Sequence, residues 1–152
     1  SSATGLDAVQ YATRRPILTV NLAQPLSFIK YSKNHLFILK KFFYKKTSKF
    51  LSIKEFYELG SADGFTVDNP RNLRTQDFER LGIEVIDNTA SEIKSATIEM
   101  YEFLTRGDDV IELSEEQIKF WVNFPNVPGF DKSRPALSRI GKKFIHQNPW
   151  LL

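Results

Sequence analysis

The chain contains no cysteine, and this absence excludes disulfides, thiolate metal sites and cysteine nucleophiles. It also fits a reducing compartment. No apolar run approaches the roughly 20 residues that span a bilayer. Three common enzyme motifs are missing, because the sequence has no GxSxG, no Walker pattern and no complete GxGxxG. His35 and His146 are isolated and lack metal-ligand spacing, which favours a structural or exposed role for each.

The composition is that of an ordinary folded domain. The 152 residues are 41% hydrophobic and 13% aromatic, which is too apolar for a disordered tail. This length is typical of one domain. We therefore predict a single domain that spans residues 1–152.

Acidic residues are absent from one long stretch, residues 8–54. This acid-free window carries a charge of +10, whereas the remainder has 11 basic and 18 acidic residues and carries −7. Such a split is typical of a face that meets an anion, for example a nucleotide, a phospholipid or a polynucleotide. The alternative is a solvated basic surface that acidic helices elsewhere in the fold balance.

The chain opens on a turn of small and hydroxyl residues, Ser1–Asp7, that includes Gly5. A short helical pattern over Leu6–Thr13 and an apolar strand over Ile17–Val20 follow it. A small-residue turn at a helix N-terminus presents backbone N–H groups and the positive end of the helix dipole, which suits a phosphate. Because such a turn normally follows a strand, we predict that the chain is a piece of a longer protein, cut just after a strand.

Apolar runs and capping patterns predict the other elements. Short apolar runs indicate strands at 17–20, 36–39 and 83–86, as in a buried parallel sheet. Alternation of strands and helices predicts an α/β fold. The predicted helices start at three capping boxes, Ser52–Glu55, Thr89–Glu92 and Ser114–Gln117, and also near Thr75 and Pro135.

Helical spacing also predicts where these helices end and what they bury. Gly60, Gly82, Gly107 and Asn148 should stop four of them. The helix after Thr89 should bury Ile93, Thr97, Met100 and Leu104 and expose Glu92 and Glu99. The helix after Ser114 should bury Ile118, Trp121 and Val122, and the last helix Leu137, Ile140, Phe144 and Ile145. The apolar tail Trp150–Leu152 should dock on another surface.

Aromatic and basic residues alternate in blocks over Lys40–Lys46. Such a segment can stack nucleic-acid bases and hold phosphates. It can equally be an amphipathic strand whose Phe side faces the core, and we favour this second interpretation.

Four segments resemble glycosyltransferases. Thr4–Ala8 followed by Arg15–Asn21 resembles the nucleotide-sugar site of GT-B glycosyltransferases and the related UDP-GlcNAc 2-epimerases. Phe50–Glu55, Gly82–Ile93 and Arg139–Ile145 resemble, in the same order, segments of a group of bacterial sequences classed as glycosyltransferases of surface-carbohydrate synthesis.

This resemblance implies a Rossmann-like α/β fold and a function. The chain would be the C-terminal, donor-binding half of a GT-B enzyme of bacterial surface polysaccharide synthesis. It would bind a nucleotide sugar, with a UDP-sugar the first expectation, and would need no cofactor and no metal. The acceptor site would lie on a missing N-terminal domain of the same chain, so this part alone should not turn over. The expected location is the cytoplasm, with room for contact at the inner face of the membrane.

The resemblance also implies which residues bind the donor. Thr4 and Gly5 would approach the diphosphate with Ser2 nearby, Leu6 and Asp7 would supply helix amides, and Asn21 would face the same crevice. The candidate cation is Lys40 or Lys41, and the sequence leaves both open. The full set of implied substrate-binding residues is Ser2, Thr4, Gly5, Leu6, Asp7, Gln10, Asn21, Lys40 and Lys41.

The sequence departs from the family pattern at two positions. The ribose-binding Glu of many such proteins is replaced here by the run Val9, Gln10 and Tyr11, of which Gln10 could substitute. The second Gly of the epimerase turn is Leu6, which disfavours epimerase activity. The competing hypothesis, from a different functional class, is a basic module that binds nucleic acid or an anionic membrane surface without catalysis.

Overall fold

A computed structural model describes residues 9, 12–13, 15–23, 34–62, 75–106, 112–125 and 138–152, without the side chains of residues 60–62. The strands are β1 (Ile17–Leu22), β2 (His35–Leu39), β3 (Lys41–Tyr44), β4 (Lys49–Phe50), β5 (Ile83–Ile86) and β6 (Arg139–Ile140). The helices are α1 (Ile53–Ala62), α2 (Thr75–Leu81), α3 (Ala90–Arg106), α4 (Glu115–Asn123) and α5 (Lys142–Gln147), followed by a 3-10 turn at Pro149–Leu151. This mixture of helices and small sheets confirms the α/β class.

A parallel sheet of order β1-β2-β6 forms the centre of the fold. Ile17 lies opposite His35, and Leu36 lies opposite Arg139. All five residues of the middle strand are buried, which explains its continuous apolar run. The predicted strands at 17–20 and 36–39 are therefore confirmed.

The third strand of this sheet corrects a prediction. Ile140 was expected in the last helix, but it belongs to β6, and α5 begins only at Lys142. The intervening Gly141 donates its N–H to the Phe37 carbonyl oxygen at 3.0 Å. A Cβ at this position would lie 2.9 Å from the Ile38 side chain, so the close approach of the two strands favours glycine there.

A second sheet of order β4-β3-β5 is antiparallel. The strand predicted at 83–86 is present, but it pairs with β3, with Phe42 opposite Val85, instead of joining the parallel sheet. Phe42 is buried and stacks on Phe56 and Phe78 with ring centroids 4.2 and 5.9 Å apart. The amphipathic-strand interpretation of Lys40–Lys46 is thus confirmed.

The three predicted capping boxes are all formed. The Ser52 hydroxyl accepts the N–H of Glu55, the Thr89 hydroxyl that of Glu92, and the Ser114 hydroxyl that of Gln117. Gly82 adopts φ +72° after α2 and confirms the predicted stop there. The stop predicted at Gly60 was wrong, because α1 continues to Ala62. A glycine inside a helix costs only about 1 kcal/mol relative to alanine, and burial of this helix can outweigh that cost.

Two predicted helix faces were partly wrong. In α3, Ala96 and Met100 are buried as a core stripe, but Thr97 and Leu104 are exposed. Glu92, predicted on the outer face, is buried, and Glu99 is half-buried. In α4, Trp121 is buried as predicted, whereas Ile118 and Val122 are exposed. The buried face of α4 is the i, i+3, i+4, i+7 set Gln117, Phe120, Trp121 and Phe124.

Two hydrogen bonds set the rotation of α4. Gln117 donates its side-chain amide to the Ile140 carbonyl oxygen at 2.6 Å, and the Trp121 indole N–H donates to the Ser138 carbonyl oxygen at 3.1 Å. Buried polar groups must find such partners, so they determine which side of the helix faces the sheet.

The C-terminal tail docks, as predicted, and the surface that it contacts belongs to the chain itself. The Trp150 ring stacks on Phe50 with centroids 4.8 Å apart, and Leu151 is buried. Asn123 donates its side-chain amide to the Leu152 carbonyl oxygen at 2.7 Å. The second sheet, α4 and the tail therefore pack as one unit.

Candidate functional site

Polar side chains meet at the carboxyl edge of the parallel sheet, where β1 and β2 end. Open α/β sheets bind ligands outside this edge. The segment that links β5 to α3 lies against it, since it contacts residues at the ends of both strands. We call the resulting cluster the polar edge; it comprises Asn21, Lys40, Lys41, Asp87, Asn88 and Glu92.

Asn21 and Asn88 form a reciprocal pair. The Asn21 N–H donates to Asn88 Oδ1 at 2.7 Å, and the Asn88 N–H donates to Asn21 Oδ1 at 2.6 Å. Asn88 Nδ2 also donates to the Leu39 carbonyl oxygen at 2.6 Å. Asn21 has φ +55°, a left-handed conformation that asparagine tolerates better than most residues, at an irregularity of β1. The pair ties the ends of β1 and β2 to the β5–α3 link.

Lys40 follows β2 directly and forms an ion pair with Asp87. Its Nζ lies 2.6 Å from Asp87 Oδ1, and its backbone N–H donates to the Leu22 carbonyl oxygen at 3.0 Å. The lysine side chain is 24% exposed and the aspartate side chain 68%. The hydrogen bond and the charge of Lys40 hold the pKa of Asp87 below its ordinary value.

Lys41 begins β3 and forms a buried ion pair with Glu92. Its Nζ lies 3.0 and 3.2 Å from the two carboxylate oxygens, and the side chains are only 12% and 8% exposed. Glu92 also accepts the Thr89 N–H at 2.7 Å and the Asn148 side-chain amide at 3.2 Å. Burial alone would raise the pKa of Glu92, but these hydrogen bonds outweigh it and the pKa is lowered.

The structure brings three of the sequence-predicted residues to one edge, namely Asn21, Lys40 and Lys41. The other implied residues, Ser2, Thr4, Gly5, Leu6, Asp7 and Gln10, lie outside the described residues. Their proposed roles therefore stay predictions.

Sequence reasoning missed the acidic and amide half of this cluster. The sequence patterns assign no site role to Asp87 and Asn88, and they predict Glu92 on the outer face of α3. One signal was available, because a Glu at the third position of a capping box folds back toward the helix N-terminus. Here the Glu92 side chain folds back in this way and lies beside Lys41.

Carboxylates from outside the acid-free window neutralise much of its charge. Among the described residues, five of its lysines form ion pairs with acidic residues of the segment 55–92, as the balanced-charge alternative anticipated. The pairs are Lys40–Asp87, Lys41–Glu92, Lys45–Glu84, Lys49–Glu55 and Lys54–Glu58.

A separate buried cluster surrounds His35 at the amino end of the parallel sheet. Its Nε2 lies 2.8 Å from Thr19 Oγ1, and its Nδ1 lies 2.9 Å from Ser138 Oγ. All three residues are buried, so the imidazole joins β1, β2 and the approach to β6. The predicted structural role of His35 is confirmed, and His146 is exposed.

Within the described ranges, no group of three or more His, Cys, Asp or Glu residues has the geometry to hold a metal ion. None of the helices in those ranges is long and apolar enough to cross a membrane. Comparison with known proteins gave no match, since no family model, no curated protein and no solved structure is significantly similar to the chain.

Proposed function

We propose that the chain binds the diphosphate of a nucleotide sugar at the polar edge, as the donor-binding half of a bacterial glycosyltransferase. One observation carries the proposal. Asn21 and Lys40, which are distant in sequence, lie at the carboxyl ends of the neighbouring parallel strands β1 and β2. Ligands of open α/β sheets bind at this edge.

The chemistry of glycosyl transfer fits such a site. When the sugar leaves, negative charge develops on the departing diphosphate, and fixed cations and backbone N–H groups stabilise it. Lys40 supplies a cation that is partly exposed. A helix that leads into the amino end of a parallel strand starts at the carboxyl edge, so the sequence pattern predicts Thr4 and Gly5 beside Asn21.

The alternative function is a polyanion-binding module. It depends on the net charge of the acid-free window, and five lysines of that window are paired with carboxylates. Exposed Arg15 and Lys46 remain as surface cations that could meet a polyanion. Carboxylates therefore offset five of the ten positive charges of the window, which weakens the case for the module.

Calorimetric titration with UDP, GDP, a DNA duplex and anionic vesicles separates the two functions. We expect saturable UDP binding that weakens when Gly5 is replaced by Leu, while Thr97→Ala, on the exposed face of α3, leaves it unchanged. Thermal unfolding of each variant checks that the fold is retained. Steeply salt-dependent binding of DNA or vesicles, with no nucleotide binding at millimolar concentration, would contradict the proposal.

A further inference from the structure

We infer that Lys40, and not Lys41, is the cation that meets the ligand phosphate, and that Asp87 competes with that phosphate for Lys40. The inference rests on the proposed function and deepens it, because it names the phosphate-binding side chain and an internal competitor. The ligand class is a nucleoside diphosphate or its sugar ester.

Lys41 is held too firmly by Glu92 to bind the phosphate of a ligand. Its ammonium contacts both oxygens of Glu92, and both side chains are almost fully buried. If Lys41 turned toward a ligand, it would leave a buried carboxylate short of its cation, which is costly in a protein interior. Glu92 cannot follow the lysine, because the Thr89 N–H and the Asn148 amide hold it in place.

Lys40 has the opposite properties. Its backbone is fixed by the hydrogen bond to Leu22, which keeps the start of its side chain at the end of β2. Its ammonium contacts one oxygen of an aspartate that is mostly exposed. An exposed carboxylate is solvated by water when its partner leaves, so exchange of this pair costs little. The flexible four-carbon stem allows the ammonium to change partners without backbone movement.

Competition at Lys40 follows from the shared chemistry of the two anions. A carboxylate and a phosphate both accept charge-assisted hydrogen bonds from an ammonium, and the phosphate carries more charge and more acceptor oxygens. Asp87 therefore holds the cation in position while the site is empty and yields it when a diphosphate arrives. The exchange breaks and forms only hydrogen bonds and ion pairs.

The test uses paired variants that change net charge equally. Asp87→Asn removes the competitor, and its control is Glu84→Gln, which removes the carboxylate of the exposed pair with Lys45 at 3.9 Å. Lys40→Met removes the cation, and its control is Lys54→Met, from the exposed pair with Glu58 at 3.8 Å. UDP affinity of the 152-residue chain is measured by calorimetry at constant salt, with thermal unfolding as the check on folding.

We expect Asp87→Asn to bind UDP about two- to fivefold more tightly than Glu84→Gln, the range that an exposed ion pair is worth. We expect Lys40→Met to bind roughly tenfold more weakly than Lys54→Met, as for loss of a hydrogen bond to a charged group. Equal affinities within either pair, with the unaltered chain binding UDP, overturn the inference alone. Absence of UDP binding by the unaltered chain overturns the proposed function and the inference together.

Discussion

Asn21 and Asn88 hold the end of β1 against the β5–α3 link by two hydrogen bonds of 2.7 and 2.6 Å, each from one residue's backbone N–H to the other's side-chain oxygen. The two residues are 67 positions apart in the sequence. Their contact joins the parallel sheet to the segment that carries Asp87 and Glu92. The position of both ion pairs at the polar edge therefore depends on it.

We expect Asn88→Ala to destabilise the fold by about 2–4 kcal/mol, since it leaves the Asn21 N–H and the Leu39 carbonyl without their partner and each such loss costs about 1–3 kcal/mol. The matched control is Thr97→Ala, which loses a hydrogen bond to Ile93 on the exposed face of α3. It should cost less than about 1 kcal/mol. Urea unfolding measures both values, and equal costs would contradict the role assigned to Asn88.

Removal of one partner of the buried Lys41–Glu92 pair should lower the free energy of unfolding more than removal of both charges. We expect Lys41→Met to cost about 3–5 kcal/mol, because Glu92 is left buried without its cation. Lys54→Met, from an exposed pair, should cost less than about 1 kcal/mol. The double variant Lys41→Met with Glu92→Gln should recover part of the loss, and the double-mutant cycle measures the coupling. A Lys41→Met cost no larger than that of Lys54→Met would show that the pair is not buried in solution.

Glu99 should make stability fall as pH rises. Its Oε2 accepts the Lys142 N–H at 2.8 Å, its Oε1 is buried without a hydrogen-bond partner among the described residues, and burial raises its pKa above the ordinary 4.5. The Lys142 N–H and the charges of Arg139 and Lys142 oppose that rise, and Glu102 adds to it. A raised folded-state pKa contributes stability that is present below the unfolded-state pKa and is lost as pH rises through the folded one.

The measurement is the free energy of unfolding of Glu99→Gln relative to the unaltered chain between about pH 4 and about pH 7. Because glutamine does not titrate, we expect the variant to gain stability relative to the unaltered chain as pH rises. Glu79→Gln, on the exposed side of α2, is the control and should show a smaller change. A relative stability that stays constant with pH would contradict the burial of Glu99.

The sequence predicts well those elements that are determined by residues close together in the chain. A capping box places its two residues three positions apart, so Ser52, Thr89 and Ser114 could be identified as helix starts from the sequence alone. Four of the five buried residues of β2, Leu36–Leu39, are likewise visible as a continuous apolar run.

The contacts that sequence missed depend on distant parts of the chain. Phe42 lies opposite Val85 in an antiparallel pair, and neither residue carries information about the direction of the other strand. β6 has only two residues, which is too short for a periodic pattern. Helical spacing placed Glu92 on the outer face of α3. A helical-wheel projection does not show that Lys41, from the strand β3, lies beside Glu92.

The same distinction applies to the site. The resemblance implied Lys40 or Lys41 as the candidate cation, but nothing local in the sequence distinguishes two adjacent lysines. Their burial differs because β3 begins at Lys41 and turns it toward α3, while Lys40 lies in the short link between two sheets. Only the folded chain separates a buried lysine that stabilises the core from a partly exposed one.

The central claim is that a nucleoside diphosphate binds at the carboxyl edge of the parallel sheet. Titration of the ¹⁵N-labelled chain with UDP, followed by amide chemical shifts, tests it most directly. We predict saturable shifts at Asn21, Lys40 and Asp87, with the β3–β4 turn at 45–48 unchanged. Shifts confined to that turn, or none at millimolar UDP, would contradict the claim.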